Sequence, residues 1–208
     1  MIAIIDYKAG NLTSVALALQ SIGEAFVITD NIAILNTAER IIFPGVGAAG
    51  EAMANLRAKG LDEWLHNWIK QGKPLLGICL GTQIILTLSE ENDTNCLGLI
   101  AGTTKRFPDN LTDDRGKLKI PHMGWNNVSL LRQHPVFADI PPAAEFYFVH
   151  SYYPAPADEA VILGWTDYGI GFCSVLAQNN LVAMQFHPEK SGRYGLQILR
   201  NFCKWRPS

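Results

Sequence analysis

Four short, mostly apolar runs without polar alternation lie in the first eighty residues: Ile2–Ile5, Ala25–Ile28, Arg40–Phe43 and Leu75–Cys79. A strand that is apolar on both faces must be covered on both faces, which marks a parallel sheet with helices packed above and below it. The stretches between the runs carry helical spacing. Leu12, Val15, Ala16, Leu19 and Ile22 repeat on one face and stop at Gly23; Met53 and Leu56 share a face that closes at Gly60. Leu61, Trp64, Leu65, Trp68 and Ile69 form the clearest apolar stripe. A further helix is predicted over Thr82–Leu88. Strands alternating with helices require crossover connections and hence a largely parallel sheet.

The second half has another rhythm. Glu145–Tyr153, Ala160–Trp165, Gly171–Ala177 and Leu181–Phe186 read as strands with short, turn-rich gaps, so antiparallel additions are expected. A last helix is predicted over about Ser191–Trp205, with Ile198, Leu199 and Phe202 on one face, and Asp109–Lys119 reads as an exposed polar loop. With no internal repeat or linker, the expectation is one α/β domain over residues 1–208, with a mainly parallel central sheet, flanking helices and antiparallel additions.

Composition limits what such a domain can do. A chain of 208 residues, 48% hydrophobic and 17% charged, can bury roughly 70% of its unfolded surface without disulfide or metal staples. A net charge of −2 gives no electrostatic footprint for nucleic acid or an anionic membrane. No stretch approaches the ~18 apolar residues of a spanning helix, and the N-terminus lacks the marks of a signal peptide, so a soluble cytoplasmic protein is expected. Cys79, Cys96, Cys173 and Cys203 are scattered without a C-x-x-C pair. They read as reduced thiols, with Cys96, Cys173 and Cys203 as small buried apolar groups, and no metal or cofactor is expected.

Chemistry concentrates at Gly77-Ile78-Cys79-Leu80-Gly81, between a buried strand and a helix. A sharp strand-to-helix turn brings neighbouring backbone too close for a Cβ, hence the flanking glycines, and holds the central side chain in a strained, exposed pose. A cysteine there meets the positive end of a helix, and the Leu80 N–H beside it can receive an oxyanion. Read alone, the motif suits a buried cysteine ending a core strand about equally well. A nucleophilic thiolate also needs a base. His66 is placed by its helix phase at a packing boundary, and His134, before Pro135, in solvent; His122 and His150 lie in aromatic segments able to line a pocket. His187 ends a strand, and two residues on Glu189 can point the same way, so that a carboxylate orients the imidazole. The pair alone is common; with the cysteine turn it makes a Cys–His–Glu set. Phe43-Pro44-Gly45-Val46-Gly47 is either an ordinary strand-to-helix loop or a segment whose backbone supplies a second oxyanion donor. Tyr147–Tyr153 is either a core strand with one wet face or a wall that recognises a small polar substrate.

The G-I-C-L-G-T-Q run at Gly77–Gln83 and H-P-E at His187–Glu189 resemble the class I, triad-type glutamine amidotransferases. D-Y-x-x-G-N-L at Asp6–Leu12, P-G-V-G at Pro44–Gly47, P-H-M-G-W-N at Pro121–Asn126, Y-F-V-H-S-Y-Y at Tyr147–Tyr153 and H-P-E-K-S at His187–Ser191 are similar to one branch. That branch is the glutaminase of imidazole glycerol phosphate synthases, in histidine biosynthesis. The resemblance implies Cys79 as nucleophile, His187 as proton carrier and Glu189 as its orienting acid. It also implies oxyanion donors at the backbone of Val46 and Leu80, the former after a peptide flip. Glutamine contacts carry over to Gly47, Gln83, Glu91, His150, Ser151 and Tyr152. The implied partner is a (β/α)8 barrel cyclase that receives the ammonia, docked on a face including Asn11, Trp125, Tyr147 and Lys190. Thr82 departs from the methionine, and Gly192 from the glutamine, that many members carry. Paralogous glutaminases that feed amidino-sugar synthesis share the same shape. A non-catalytic redox sensor would keep the cysteine turn without the matched His187, Glu189 and Gln83.

Overall fold

The computed structural model describes residues 1–8, 10–114 and 116–207. The strands β1 (Ile2–Ile5), β2 (Phe26–Thr29), β3 (Arg40–Gly45) and β4 (Leu75–Cys79) pair in parallel in the spatial order β2-β1-β3-β4. Leu181–Met184 is the other neighbour of β4 and is also parallel to it. Gly171–Gln178, Ile162–Asp167 and Ser129–Leu130 then extend the sheet antiparallel to eight strands. Every residue of β1, β3, β4 and Leu181–Met184 is buried, as two covered faces require, whereas the edge strand β2 is partly exposed.

Successive strand residues face opposite layers. Ile2, Ile4, Ile42, Leu76 and Ile78 pack with α1 (Leu12–Ser21) through Val15 and Leu19, and with the C-terminal helix Gly192–Lys204 through Ile198, Leu199 and Phe202. Ala3, Ile5, Ile41, Phe43 and Leu75 pack in the other layer, beyond the short helix α2 (Ile32–Leu35), with α3 (Ala49–Ala58) and α4 (Leu61–Lys70) through Leu56, Leu61, Leu65 and Trp68. Each fully buried Leu or Ile contributes about 1.5–3 kcal/mol of transfer free energy, so two filled layers hold the sheet rigid beneath its loops.

Several predicted boundaries move, each for a local reason. The helix predicted over Thr82–Leu88 is α5, Leu80–Ile84. Beyond it the carbonyls of Ile84, Ile85 and Leu86 accept instead from Leu97, Leu99 and Gly98 at 2.7–2.9 Å, and Leu88–Ser89 becomes a strand between Thr94–Asn95 and Thr103–Thr104. The run Glu145–Tyr153 divides at Ser151. Glu145–His150 pairs with His122–Asn127 in a two-stranded ribbon, and Tyr152–Pro156 pairs with Gly102–Arg106. Ala160–Trp165 begins as a single 3-10 turn whose Ala160 N–H is capped by the Asp158 carboxylate, and the strand follows from Ile162. Asp109–Lys119 is mostly exposed but contains a small hairpin, Thr112–Asp113 with Gly116–Lys117, and buries Leu111; Arg115 lies outside the described residues. His134 is half-buried rather than solvated: its Nδ1 accepts from the Val136 N–H at 3.2 Å and its ring sits 5.0 Å from that of Trp205. No helix among the described residues is long and apolar enough to cross a membrane.

Candidate active site

Sheet register gathers the chemistry at the carboxyl edge of three adjacent parallel strands, where open α/β sheets place their sites. Gly45, at the end of β3, lies beside Cys79 at the end of β4, and Met184 beside Ile78 on the other side. The Pro44–Gly47 loop and the Gln185–Glu189 segment therefore both emerge next to the cysteine. Cys79 has φ 53° and ψ −108°, a sparsely populated conformation that costs a residue with a side chain about 1–3 kcal/mol. The glycines around it are sterically obligatory. A Cβ on Gly81 would stand 2.0 Å from the Phe43 carbonyl oxygen, and one on Gly77 2.8 Å from the Cβ of Ala183.

Behind the cysteine, His187 Nδ1 lies 2.7 Å from Glu189 Oε1, with both side chains buried. A carboxylate only accepts, so Nδ1 carries the hydrogen and Nε2 is the atom left for Cys79. Nε2 makes no aligned hydrogen bond, yet the cysteine acts on it. Burial pulls the His187 pKa down, and the opposing influence of Cys79 and Glu189 outweighs it, so the net shift is upward. Glu189 Oε1 also accepts from Asn11 Nδ2 at 2.5 Å, while its Oε2 is buried without a partner. Asn11, an unremarked surface position by sequence pattern, is thus tied to the acid of the set.

In front of Cys79 opens a pocket of about 350 Å³ lined by Val46, Gly47, Cys79, Leu80, Gln83, Glu91, Pro121, Val149, His150, Ser151 and Tyr152. All six residues expected to contact a substrate, and both expected oxyanion donors, are on its wall. A roomier groove of about 680 Å³ between Leu130 and Pro142 is lined by no cysteine, serine or threonine among the described residues. Glu91 Oε2 accepts from the Ala49 N–H at 2.7 Å, so this anionic wall group is held by the start of α3. Gln83 donates from Nε2 to the Tyr152 carbonyl at 2.9 Å and to Gln185 Oε1 at 3.1 Å, which leaves its own carbonyl end for a ligand.

His150 on the pocket wall is backed by His122, which is buried and does not itself line the pocket although the sequence placed it in a segment able to do so. His150 Nδ1 lies 2.7 Å from the Tyr152 carbonyl, and its Nε2 3.0 Å from His122 Nδ1; Asn126 Nδ2 lies 3.3 Å from His122 Nε2. A carbonyl can only accept, so each ring carries its hydrogen on Nδ1 and both are neutral. Burial lowers the pKa of His122 to about 4, and burial, then His122, that of His150 to about 3. His66 is, as predicted, a boundary residue: its Nε2 lies 2.8 Å from the Leu97 carbonyl.

Two polar groups beside Cys79 carry no sequence motif. Gln185 is fully buried and its Nε2 reaches Cys79 Sγ at 3.7 Å. Tyr7 is buried with an unpartnered hydroxyl under Gly45, where a Cβ would collide with it; burial, then Cys79, raise its pKa. The departure at Thr82 has a use here, since its hydroxyl donates to the Met184 carbonyl at 2.6 Å and joins α5 to the neighbouring strand. The other thiols are unpaired, Cys173 buried and Cys96 and Cys203 half-buried, and burial raises the pKa of each, to about 12, about 11 and about 12. Among the described residues no group of three or more His, Cys, Asp or Glu is arranged to hold a metal.

On the outer face, Trp125 is 54% exposed and meets the Tyr147 ring edge-on at 6.2 Å; Lys190 Nζ lies 6.0 Å from that same ring. The Tyr147 carbonyl accepts from the His187 N–H at 2.9 Å, so this outer patch is bonded to the base of the set.

Residues 3–205 match the model of the family described as glutamine amidotransferase class-I. The imidazole glycerol phosphate synthase subunit HisH of Maridesulfovibrio salexigens is 53% identical over 206 residues, covering 99% of this chain and 97% of that one. The subunit of the same name from Dehalococcoides mccartyi is 48% identical over 205 residues, with 98% and 97% covered. A solved glutamine amidotransferase superimposes with a TM-score of 0.74 at 16% identity, covering 98% of each chain, a likeness of fold.

Proposed function

Because the chain belongs to the class-I glutamine amidotransferase family, we propose that it is the glutaminase subunit of an imidazole glycerol phosphate synthase. The observation that carries the reading is the buried His187–Glu189 pair behind a cysteine that opens into a pocket sized for an amino acid.

Cys79 attacks the side-chain amide carbon of glutamine as the thiolate, its proton passing to His187 Nε2. Glu189 holds the imidazole by Nδ1 and stabilises the imidazolium. The tetrahedral oxyanion is received by the backbone N–H of Leu80 and, once its peptide turns inward, of Val46. His187 returns the proton to the nitrogen, ammonia leaves, and a glutamyl thioester remains on Cys79. Water, deprotonated by His187, cleaves the thioester to glutamate. Glu91 is the anionic wall group and the complement of the glutamine α-ammonium; Gly47, Gln83, His150, Ser151 and Tyr152 hold the remainder. No step calls on a metal or cofactor.

Residues 1–208 act as one amidotransferase domain, in the cytoplasm, where unpaired thiols persist. The ammonia goes to a (β/α)8 barrel cyclase, which makes imidazole glycerol phosphate and an aminoimidazole carboxamide ribotide. That partner docks over Asn11, Trp125, Tyr147 and Lys190. The exposed Trp125 beside Tyr147 and Lys190 supports this face, because a solvated tryptophan on a rigid ribbon is a typical interface anchor.

The test is glutamate release from glutamine by the purified chain alone, then with a histidine-pathway barrel cyclase and its nucleotide substrate. Strong stimulation in the complete mixture, abolished by Cys79→Ser, is expected. Stimulation only by the partner of an amidino-sugar pathway would reassign the subunit, and full activity of Cys79→Ser would remove the triad.

A further inference from the structure

Gln185 lies two residues before His187, just past the end of Leu181–Met184, and is fully buried. Its backbone N–H donates to the Ser174 carbonyl at 2.9 Å, which pins the residue to the adjacent strand. Its side chain bridges Gln83 and the nucleophile, with Oε1 3.1 Å from Gln83 Nε2 and Nε2 3.7 Å from Cys79 Sγ.

The orientation of this amide follows from its partners. The Tyr152 carbonyl can only accept, so the Gln83 atom that faces it is nitrogen. That same nitrogen faces Gln185, whose near atom must therefore be oxygen. The Gln185 amide nitrogen is then the atom turned to the sulfur. A donor bound to the sulfur holds the nucleophile in one position, which is what an in-place attack requires. Gln185 has no proton to exchange and cannot be the base. The titratable groups facing the same sulfur are His187, with Glu189 behind it, and the Tyr7 phenol.

We propose that Gln185 is a further catalytic residue of the chain: it grips Cys79 Sγ through its amide N–H and fixes the sulfur for attack. This rests on the reading of Cys79 as the nucleophile. Gln83 is then the positioning residue that locks the grip, linking it to the pocket rim at Tyr152.

The experiment is the rate of Cys79 alkylation by chloroacetamide in the full chain at neutral pH, with Cys79 followed by peptide mass, for wild type and Gln185→Met. Neither glutamine nor a partner is needed. Methionine fills similar space without a donor. The expected result is a roughly tenfold slower reaction. In the complete complex, kcat for glutamine falls by a similar factor with KM held within about twofold. If methionine prevents folding, Gln185→Asn, which withdraws the amide by one methylene, reads the same quantities. A folded variant with the wild-type alkylation rate, or with a slowed rate and unchanged kcat, overturns the proposal. Wild-type chain inactive on glutamine in every mixture would overturn the glutaminase reading instead, and leave the alkylation comparison standing.

Discussion

Asn11 donates from Nδ2 to Oε1 of Glu189 at 2.5 Å across 178 residues of sequence, and the same oxygen binds His187 Nδ1 at 2.7 Å. One carboxylate oxygen thus binds both His187 and a residue from the loop that follows β1. Because Glu189 Oε2 is buried without a donor, this carboxylate is held in place through that single oxygen.

Asn11→Ala should therefore act on catalysis before it acts on folding. Loss of a donor to a buried carboxylate costs about 1–3 kcal/mol, and a fall in kcat/KM of roughly tenfold is expected. Asn11→Asp, which sets a second carboxylate against Glu189, should lose more. Glutamate release with the cyclase present reads both. Equal activity of the aspartate variant and wild type would show that the bond does not orient the acid.

The glycines of the cysteine turn allow a sharper contrast. Gly81→Ala puts a Cβ 2.0 Å from the Phe43 carbonyl oxygen, a backbone atom that cannot yield without moving β3. Destabilisation of about 3 kcal/mol or more, or failure to fold, is expected. Gly72→Ala meets nothing within 4 Å and bears only the cost of its φ of +72°, about 1–2 kcal/mol. Thermal unfolding of the two variants checks the order, and a Gly81→Ala chain as stable as Gly72→Ala would contradict the steric account.

Much of this arrangement was legible in the sequence because it rests on local rules. Unbroken apolar runs marked β1, β3 and β4 as covered strands, and the helical stripe from Leu61 to Ile69 matches α4. The cysteine turn at Cys79 and the His187–Glu189 contact at 2.7 Å are legible because each is written in adjacent residues. What escaped depends on contacts distant in the chain. The end of α5 at Ile84 is set by N–H groups from Leu97–Ile100, and the break at Ser151 by two different partner strands. Gln185, between a buried strand and a histidine, has no periodicity to flag it, and His122 reads as one aromatic neighbour among several until the ribbon pairs it with His150. Cys79 and Gln185 stand 106 residues apart, and only the parallel pairing of β4 with Leu181–Met184 brings them together.

The two buried histidines, His122 and His150, give a pH signature. Unfolded histidine titrates near about 6.5, whereas in the folded chain His122 and His150 are held down at about 4 and about 3. Below about 6.5 the unfolded chain binds protons that the fold refuses, so stability falls with falling pH across this window. His187 has the opposite sign: its raised pKa stabilises below the unfolded value, and that contribution is lost only as pH rises through its folded pKa. His122→Phe keeps a ring to stack on Phe148 and Tyr168 and removes one titration. Urea unfolding between the two limits should show the acid loss of stability shrink by on the order of 2 kcal/mol. An unchanged slope would mean that His122 is not held neutral.

Trp125 projects from the His122–Asn127 strand with 54% of its surface exposed, supported edge-on by Tyr147. Tryptophan anchors of interfaces cost about 2 kcal/mol or more on truncation, close to a thirtyfold loss of affinity. Trp125→Ala should weaken binding of the barrel cyclase by about that factor while leaving thermal stability nearly unchanged. Lys190→Ala, which removes an exposed cation 6.0 Å from the Tyr147 ring, should instead slow association and lessen its salt dependence. Calorimetric titration gives the first effect and association rates at two salt concentrations the second. Wild-type affinity for Trp125→Ala would move the interface off this ribbon, and the Tyr147 carbonyl bond to His187 would then have no docked partner to relay.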